Sequence, residues 1–299
     1  MDGIINVYKE AGYTSHDVVA KLRGILHQKK IGHTGTLDPA AKGVLPVCLG
    51  KATKVCELLT GKDKTYQAVC RLGVVTDTQE MTGKVLEEYS VKDITREQVL
   101  EAVHSFQGEI MQVPPMYSAI KVGGRRLYEL AREGVEIERQ PRPVTIARIE
   151  ILQVDLDQQT FTMEVTCSKG TYIRTLCHDI GQKLGVGAAM ENLVRTQVDI
   201  FRIEEAITLT EIESLLKEDT LQDSIISIDA LFPDYRKLQI QQRFAGKLQN
   251  GNLLKPDFFE PPVFQELADG EKVLLYDENG QFKAVYQSKG TDLFVVKMF

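Results

Sequence analysis

Residues 31–54 read IGHTGTLDPAAKGVLPVCLGKATK, and the fold turns on how this stretch is read. Glycines at 32, 35, 43 and 50, with Pro39 and Pro46, predict a loop with short ordered pieces and no long regular element. Its side chains are small and polar, unusual for a mere connector. The Gly-rich run lacks GxxxxGK[ST] and does not match GxGxxG, which argues against a phosphate cradle. The feature needing explanation is Asp38, held between Leu37 and Pro39. The proline biases Asp38 toward extended backbone and presents its carboxylate from a stiff, closely approachable loop. An Asp-Pro turn in which Asp38 caps its own backbone accounts for the same residues equally well.

Working outward, GIINVYK reads as a short strand, and Thr14 to Leu26 as a helix with Val18, Val19, Leu22, Ile25 and Leu26 at helical spacing. Lys64 to Val75 alternates like a strand, and TDTQEMTG at 76–83 reads as a turn. A helix is expected from Thr95 to Phe106, with Thr95 as its cap. A proline turn, a Gly–Gly turn and a short basic helix are expected within QVPPMYSAIKVGGRRLYELAREG. Strands follow at Val144–Leu156 and Thr160–Thr166, then a helix over 171–184 that stops at Gly185. Glu191 to Val198 reads as a strand, continuing into another near Phe201–Ile203, and Thr210 to Lys217 as a helix. The character shifts near residue 230. Beyond it come a helix-like LQIQQRFAGK, a proline-broken loop at 256–262, a hairpin around Asn279–Gly280 and a strand in DLFVVKMF. Strands and helices in irregular order predict an α+β fold, with a larger domain over 1–230 and a small β-rich domain over 231–299.

The chain has 299 residues, 43% hydrophobic and 26% charged, an ordinary globular composition. No apolar run approaches the roughly 20 residues of a membrane helix, and the first residues lack a secretory layout, so a cytoplasmic protein is expected. The five cysteines (Cys48, Cys56, Cys70, Cys167 and Cys177) contain no CxxC, and the five histidines form no HExxH. Neither a disulfide framework nor a metal site is expected. The net charge of −6 argues at first against nucleic acid. Its distribution says otherwise: ten Lys/Arg stand against six Asp/Glu over 1–64, seven against four over 121–148, and one against nine over 204–234. One acidic segment masks two basic ones. Ordinary solvated charge explains them as well as a surface for a polyanion does.

Two further stretches carry candidate chemistry. In CSKGTYIRTL, Tyr172 and Arg174 are two apart, which on extended backbone puts a ring and a guanidinium on one face. That pair suits a nucleobase and an acid, and it equally suits a surface Arg beside a half-buried Tyr. In KTYQ, Tyr66 opens a strand, where an aromatic is usually core.

In this order, IGHTGTLDPAAKGVLPVCLGKATK, the KTY at 64–66, VPPMYSAIKVGGRRLYELAREG and CSKGTYIRTL resemble the TruB-type tRNA pseudouridine-55 synthases over roughly residues 1–200. The resemblance implies a mixed, mainly antiparallel sheet with a central cleft, the pseudouridine synthase fold. It implies isomerisation of a uridine in the T-loop of tRNA, needing no cofactor or metal. By the same resemblance Asp38 is the nucleophile and Arg174 its partner. Tyr66 stacks on the target base, with a possible part for its hydroxyl in removing the C5 proton. Tyr172 and Leu193 complete the base pocket, and His33 contacts the displaced nucleotide. A thumb-like insertion at about 115–143 would pin the RNA through Lys121, Arg125, Arg126 and Arg132, with Lys29 and Lys30 as weaker contacts. The C-terminal part resembles a PUA-like RNA-binding domain without a sharp motif. A monomer acting on the T-arm is expected. The rivals are a guide-RNA-dependent, dyskerin-like synthase and a tRNA-folding chaperone with incidental catalysis.

Overall fold

The computed structural model describes residues 1–259 and 267–299. A ten-stranded sheet forms its centre. Along its main path the strands run Ile225–Ile226, Gly3–Lys9, Lys42–Leu49, Ala188–Val198, Lys64–Leu72, Thr160–Cys167, Arg142–Asp155 and Gly108–Gln112. Two short strands, Ile31–His33 and Phe201–Arg202, pair off this path. The Lys64 strand shows why the residues choose this geometry. Its burial alternates, placing Tyr66, Ala68, Cys70 and Leu72 in one core cluster with Val165, Leu176 and Leu193. Helices Arg96–His104 and Ile173–Leu184 cover that half of the sheet, and helices Ser15–Ile25 and Leu209–Lys217 cover the other.

Three of these helices start on reciprocal caps: Thr14 with Asp17, Thr95 with Gln98, and Thr208 with Glu211. Each such cap satisfies two otherwise orphaned backbone donors and is worth about 1 kcal/mol. Gly185 ends the fourth helix in the left-handed conformation, at φ 73°.

The loop expected over residues 31–54 contains an eight-residue strand, Lys42–Leu49, almost wholly buried. Pro46 is tolerated because it sits where one edge of this strand changes neighbour. Lys42 and Gly43 pair with Val194 and Arg195, while Val47 to Leu49 pair with His33 to Ile31. Among the described residues, the Lys42/Ala188 pairing is the one parallel pairing between two strands of this sheet, and it spans two residue pairs. The two halves of the sheet are therefore barely stitched together there, and residues 34–41 emerge at that junction.

A second, four-stranded sheet comprises Arg236–Gln239, Lys272–Tyr276, Phe282–Lys289 and Asp292–Met298, giving a small C-terminal β domain. The expected hairpin is present. LQIQQRFAGK is not one helix. It divides into the end of strand Arg236–Gln239, a 3-10 turn at Gln242–Phe244 and a one-turn helix from Ala245. Alternation at Leu238 and Ile240, both buried, favours strand pairing over helix. Of the proline-broken loop, Pro256–Phe258 is a 3-10 turn, and residues 260–262 lie outside the described residues. No helix among the described residues is long and apolar enough to cross a membrane.

Candidate active site

The loop bearing Asp38 is anchored from below. The Leu37 N–H donates to Ser15 Oγ at 2.9 Å, and the Ala41 N–H to the Asp38 carbonyl at 3.1 Å. Buried Lys9 donates to the carbonyls of Pro39 and Ala41. Leu37 is buried in the core cluster while the Asp38 side chain stays 36% exposed. Backbone anchoring and an apolar neighbour thus hold an accessible carboxylate in place.

Arg174 reaches Asp38 from helix Ile173–Leu184, with Nη2 3.5 Å from Oδ2. The segment takes the helix expected over 171–184 and not the extended backbone of the spacing argument: Tyr172 is the N-cap and Arg174 lies in the first turn. The pair meets all the same, the guanidinium standing 5.7 Å from the Tyr172 ring centre. Gln112, buried at the end of strand Gly108–Gln112, fixes Tyr172. It accepts from the Tyr172 N–H at 2.8 Å and donates to its carbonyl at 3.0 Å.

Arg174 has a second acidic partner that sequence reading missed. Its Nη1 lies 3.1 Å from Glu80 Oε1, and its Nη2 donates to the Tyr117 carbonyl at 2.6 Å. Burial pushes the Glu80 carboxyl above its ordinary value, against the pull of Arg174. Glu80 lies in the turn TDTQEMTG, where a single glutamate reads as solvent-facing. The bridge from Glu80 to Met190 and the hydrogen bond from Thr175 Oγ1 to Gln79 Oε1 bring this turn against the helix.

Tyr66 and Leu193 are buried in one cluster beside Leu37, forming an apolar wall next to Asp38. Burial raises the Tyr66 hydroxyl above its ordinary value, keeping the phenol neutral near neutral pH. His33 is half-buried, its Nδ1 accepting from the Gly35 N–H at 3.3 Å and its ring 5.2 Å from that of His16. Burial lowers its pKa, so it faces the loop as neutral imidazole.

Asp38, Arg174, Tyr172, Tyr66, Leu193 and His33 all attach to residues 31–41 or to the cluster beneath them. Lys121, Arg125, Arg126 and Arg132 lie apart, on the hairpin Lys121–Val122/Arg125–Arg126 and the helix Leu127–Arg132. Their environment is more structured than sequence reading expects. Arg125 is ion-paired with Glu133, and Arg126 and Arg132 stand 5.7 and 5.4 Å from the Tyr128 ring centre. Tyr128 is thus a further surface residue, legible beforehand only as part of YELAREG. Among the described residues, no group of three or more His, Cys, Asp or Glu side chains is arranged to hold a metal ion. The cysteines are free, and Cys167 and Cys177 are buried beside the site.

Known proteins bear on this arrangement. The model of the TruB family pseudouridylate synthase N-terminal domain matches residues 23–173, and that of the tRNA pseudouridylate synthase B C-terminal domain matches residues 174–233. A tRNA pseudouridine synthase B from Lachnoclostridium phytofermentans is 52% identical over 307 residues, covering 100% of both chains. One from Bacillus pumilus is 43% identical over 99% of this chain and 96% of its own. Among solved structures, a Cbf5-Nop10-Gar1 complex aligns with a TM-score of 0.72 and 29% identity, over 99% of this chain and 84% of the matched one. An H/ACA RNP bound to a substrate RNA containing 2'-deoxyuridine aligns at 0.71 and 27%, over 99% and 84%. With an accessible aspartate, a buried arginine and an apolar aromatic wall at the sheet junction, and with these matches along its length, the chain belongs to the TruB family of pseudouridine synthases.

Proposed function

We propose that this protein converts uridine to pseudouridine at position 55, in the T-loop of tRNA, with Asp38 as the nucleophile. The observation that carries the reading is the Asp38–Arg174 pair. A partly exposed carboxylate stands 3.5 Å from a buried guanidinium, above a wall of Leu37, Tyr66 and Leu193. The reaction breaks N1–C1′ and forms C5–C1′. The proton lost from C5 is balanced by one gained at N1, so the product is an isomer and no redox equivalent or net water is needed. A carboxylate serves by covalent addition to the sugar or the base, or by assisting departure of the base. Arg174 holds it aimed. Tyr66 stacks on the flipped base, Tyr172 and Leu193 complete the pocket, and His33 contacts the displaced nucleotide.

Flipping a uridine out of a folded loop costs a few kcal/mol, and stacking on aromatic rings returns about 1–3 kcal/mol per base. Phosphate contacts from Lys121, Arg125, Arg126 and Arg132 supply the rest, with a thumb spanning about 115–143. The boundary near residue 230 and an RNA-binding, PUA-like role for the C-terminal β domain belong to the same reading, as do a monomeric state and a cytoplasmic location. Relatives named tRNA pseudouridine synthase B that match along the whole chain favour a stand-alone enzyme over a guide-RNA-dependent one. The test is incubation of the purified protein with an unmodified tRNA transcript, without additives, followed by pseudouridine mapping. Modification at position 55 is expected. Its absence, or its appearance elsewhere, overturns the assignment.

A further inference from the structure

His16 belongs to none of the motifs that mark the site, yet it stands against one of them. The reciprocal cap between Thr14 and Asp17 starts helix Ser15–Ile25. That start is docked on the catalytic loop, because Ser15 Oγ accepts from the Leu37 N–H at 2.9 Å. The next residue is His16, which is exposed. Its ring meets that of His33 edge to face, with centres 5.2 Å apart and planes at 80°. His33 ends strand Ile31–His33. One ring therefore comes from the strand that leads into residues 34–41, and the other from the helix that anchors them.

The partners of each ring define what is left to bind. His33 Nδ1 accepts from the Gly35 N–H at 3.3 Å, so its neutral ring carries the proton on Nε2. Among the described residues no protein acceptor takes that N–H, and the nitrogen is not sealed in the interior, so it is a donor open to solvent. Asp17, next to His16 in sequence, is committed to the Thr14 N–H at 2.8 Å and the Thr14 hydroxyl at 2.6 Å. Among the described residues His16 makes no hydrogen bond or ion pair, and the His33 ring is what it touches. An exposed second residue of a helix meets no packing demand, and a ring there gains little unless something covers it. Two rings at right angles form a corner, with a face on one side and an edge on the other. A planar base with polar edges fits such a corner, stacking on the face and accepting from the open N–H. Phosphate has no use for the ring face, and an apolar ligand would leave the donor unmatched.

We propose that His16 and His33 together form one subsite for an unstacked nucleobase of the substrate RNA, from the same loop as the target uridine, which makes His16 a further RNA-contact residue. The proposal rests on the reading of Asp38 as catalytic and of His33 as a nucleotide contact.

The test uses a synthetic T-arm stem-loop and a series in which each loop base in turn, other than the target uracil, is replaced by an abasic site. Binding is measured for native protein, His16→Ala, His16→Phe and His33→Ala. His16→Ala is expected to bind the intact stem-loop about fivefold more weakly than native, the lower end of what one stacked base is worth. At one abasic position that penalty should shrink below about twofold, because the base is no longer there to lose. At the other positions it should stay near fivefold. The penalty of His33→Ala should shrink at the same position, since one corner holds one base. His16→Phe keeps a ring face and should bind within about twofold of native. A disturbed helix start would weaken binding of every RNA alike, so the abasic series separates it from a lost base contact. Four results would each overturn the proposal: native-like binding by His16→Ala, a penalty unchanged at every abasic position, different positions for the two histidines, or His16→Phe as weak as His16→Ala. The two readings fail separately. If native protein leaves the uridine unmodified in both the stem-loop and a full tRNA transcript, the functional reading fails. If it modifies them while His16→Ala shows no base-dependent penalty, only the role of His16 fails.

Discussion

Replacing Glu80 by Gln separates what this carboxylate does for the fold from what it does for Arg174. At 3.1 Å and an effective dielectric of about 20, the Glu80–Arg174 attraction is about 5 kcal/mol. Removing both ions from water costs several kcal/mol each. The direction of the Glu80 shift shows which effect wins. Its carboxyl is raised, so burial outweighs attraction, and the folded state binds the Glu80 proton more tightly than the unfolded state. Any stability linked to that proton is present below the ordinary glutamate range and is lost as pH rises through the raised value. At neutral pH the charged side chain therefore gives the fold no net gain, and Glu80→Gln should melt within about 3 °C of native. Catalysis should respond differently. Arg174 would lose a charge-assisted acceptor worth about 1.5–3 kcal/mol and turn more fully onto Asp38, tying up the nucleophile. The saturating single-turnover rate should fall about 10- to 150-fold. A native rate, or a stability loss beyond about 3 kcal/mol, would refute this reasoning.

Asp38→Asn should abolish isomerisation and leave tRNA affinity within about tenfold, or about 1.4 kcal/mol, as measured by single-turnover assay and filter binding. Replacing Arg125 and Arg126 by Ala should weaken binding and flatten its salt dependence by less than two full phosphate contacts, because Arg125 is partly neutralised by Glu133. EDTA should leave the activity on a folded transcript intact; loss reversed by zinc would contradict the site described. Burial lowers the pKa of Lys9 to about 8, so between about pH 8 and 10 the unfolded chain holds a proton that the folded chain has released. Stability relative to Lys9→Met should therefore rise across that window, as read from denaturant melts at each pH.

Local features carried most of the secondary structure into the sequence. The caps at Thr14, Thr95 and Thr208 are visible as Ser/Thr followed three residues later by Asp, Gln or Glu, and alternation marks Lys64–Leu72 and Thr160–Cys167. What was not legible depends on pairing between distant segments. Strand Lys42–Leu49 hides behind Gly43 and Pro46. Both are acceptable only because Arg195 approaches one and a change of neighbour occurs at the other. Gly108–Gln112 also passed unread, though its last residue positions Tyr172. In the site, Asp38, Tyr66 and Arg174 stand out through family motifs, while Glu80 and Arg195 look like surface charges in a turn and a strand. Burial and cross-sheet contact give them meaning, and neither quantity is written in their immediate neighbours.

The two buried arginines divide the electrostatics of the cleft. Arg174 is shared between two carboxylates, so its charge is spent locally on holding Asp38 and Glu80. Arg195 donates to carbonyls, and the neighbouring Lys9 and Lys64 likewise donate to carbonyls from buried positions. Crowding is felt among them: burial first and the Arg195 charge second lower the pKa of both lysines to about 8. Three cations paired chiefly with backbone oxygens leave a positive field under residues 35–41 that is not cancelled on site. The chain carries a net charge of −6 and so repels a polyanion as a whole. On the function proposed above, a low-dielectric floor with uncancelled positive charge would draw phosphate to one place, the loop that carries Asp38. Exposed lysines would be screened within a Debye length of about 8 Å at physiological salt, whereas buried ones are screened much less. Burying the cations under the loop costs stability, and on the proposed function it would place the attraction where the base is turned out.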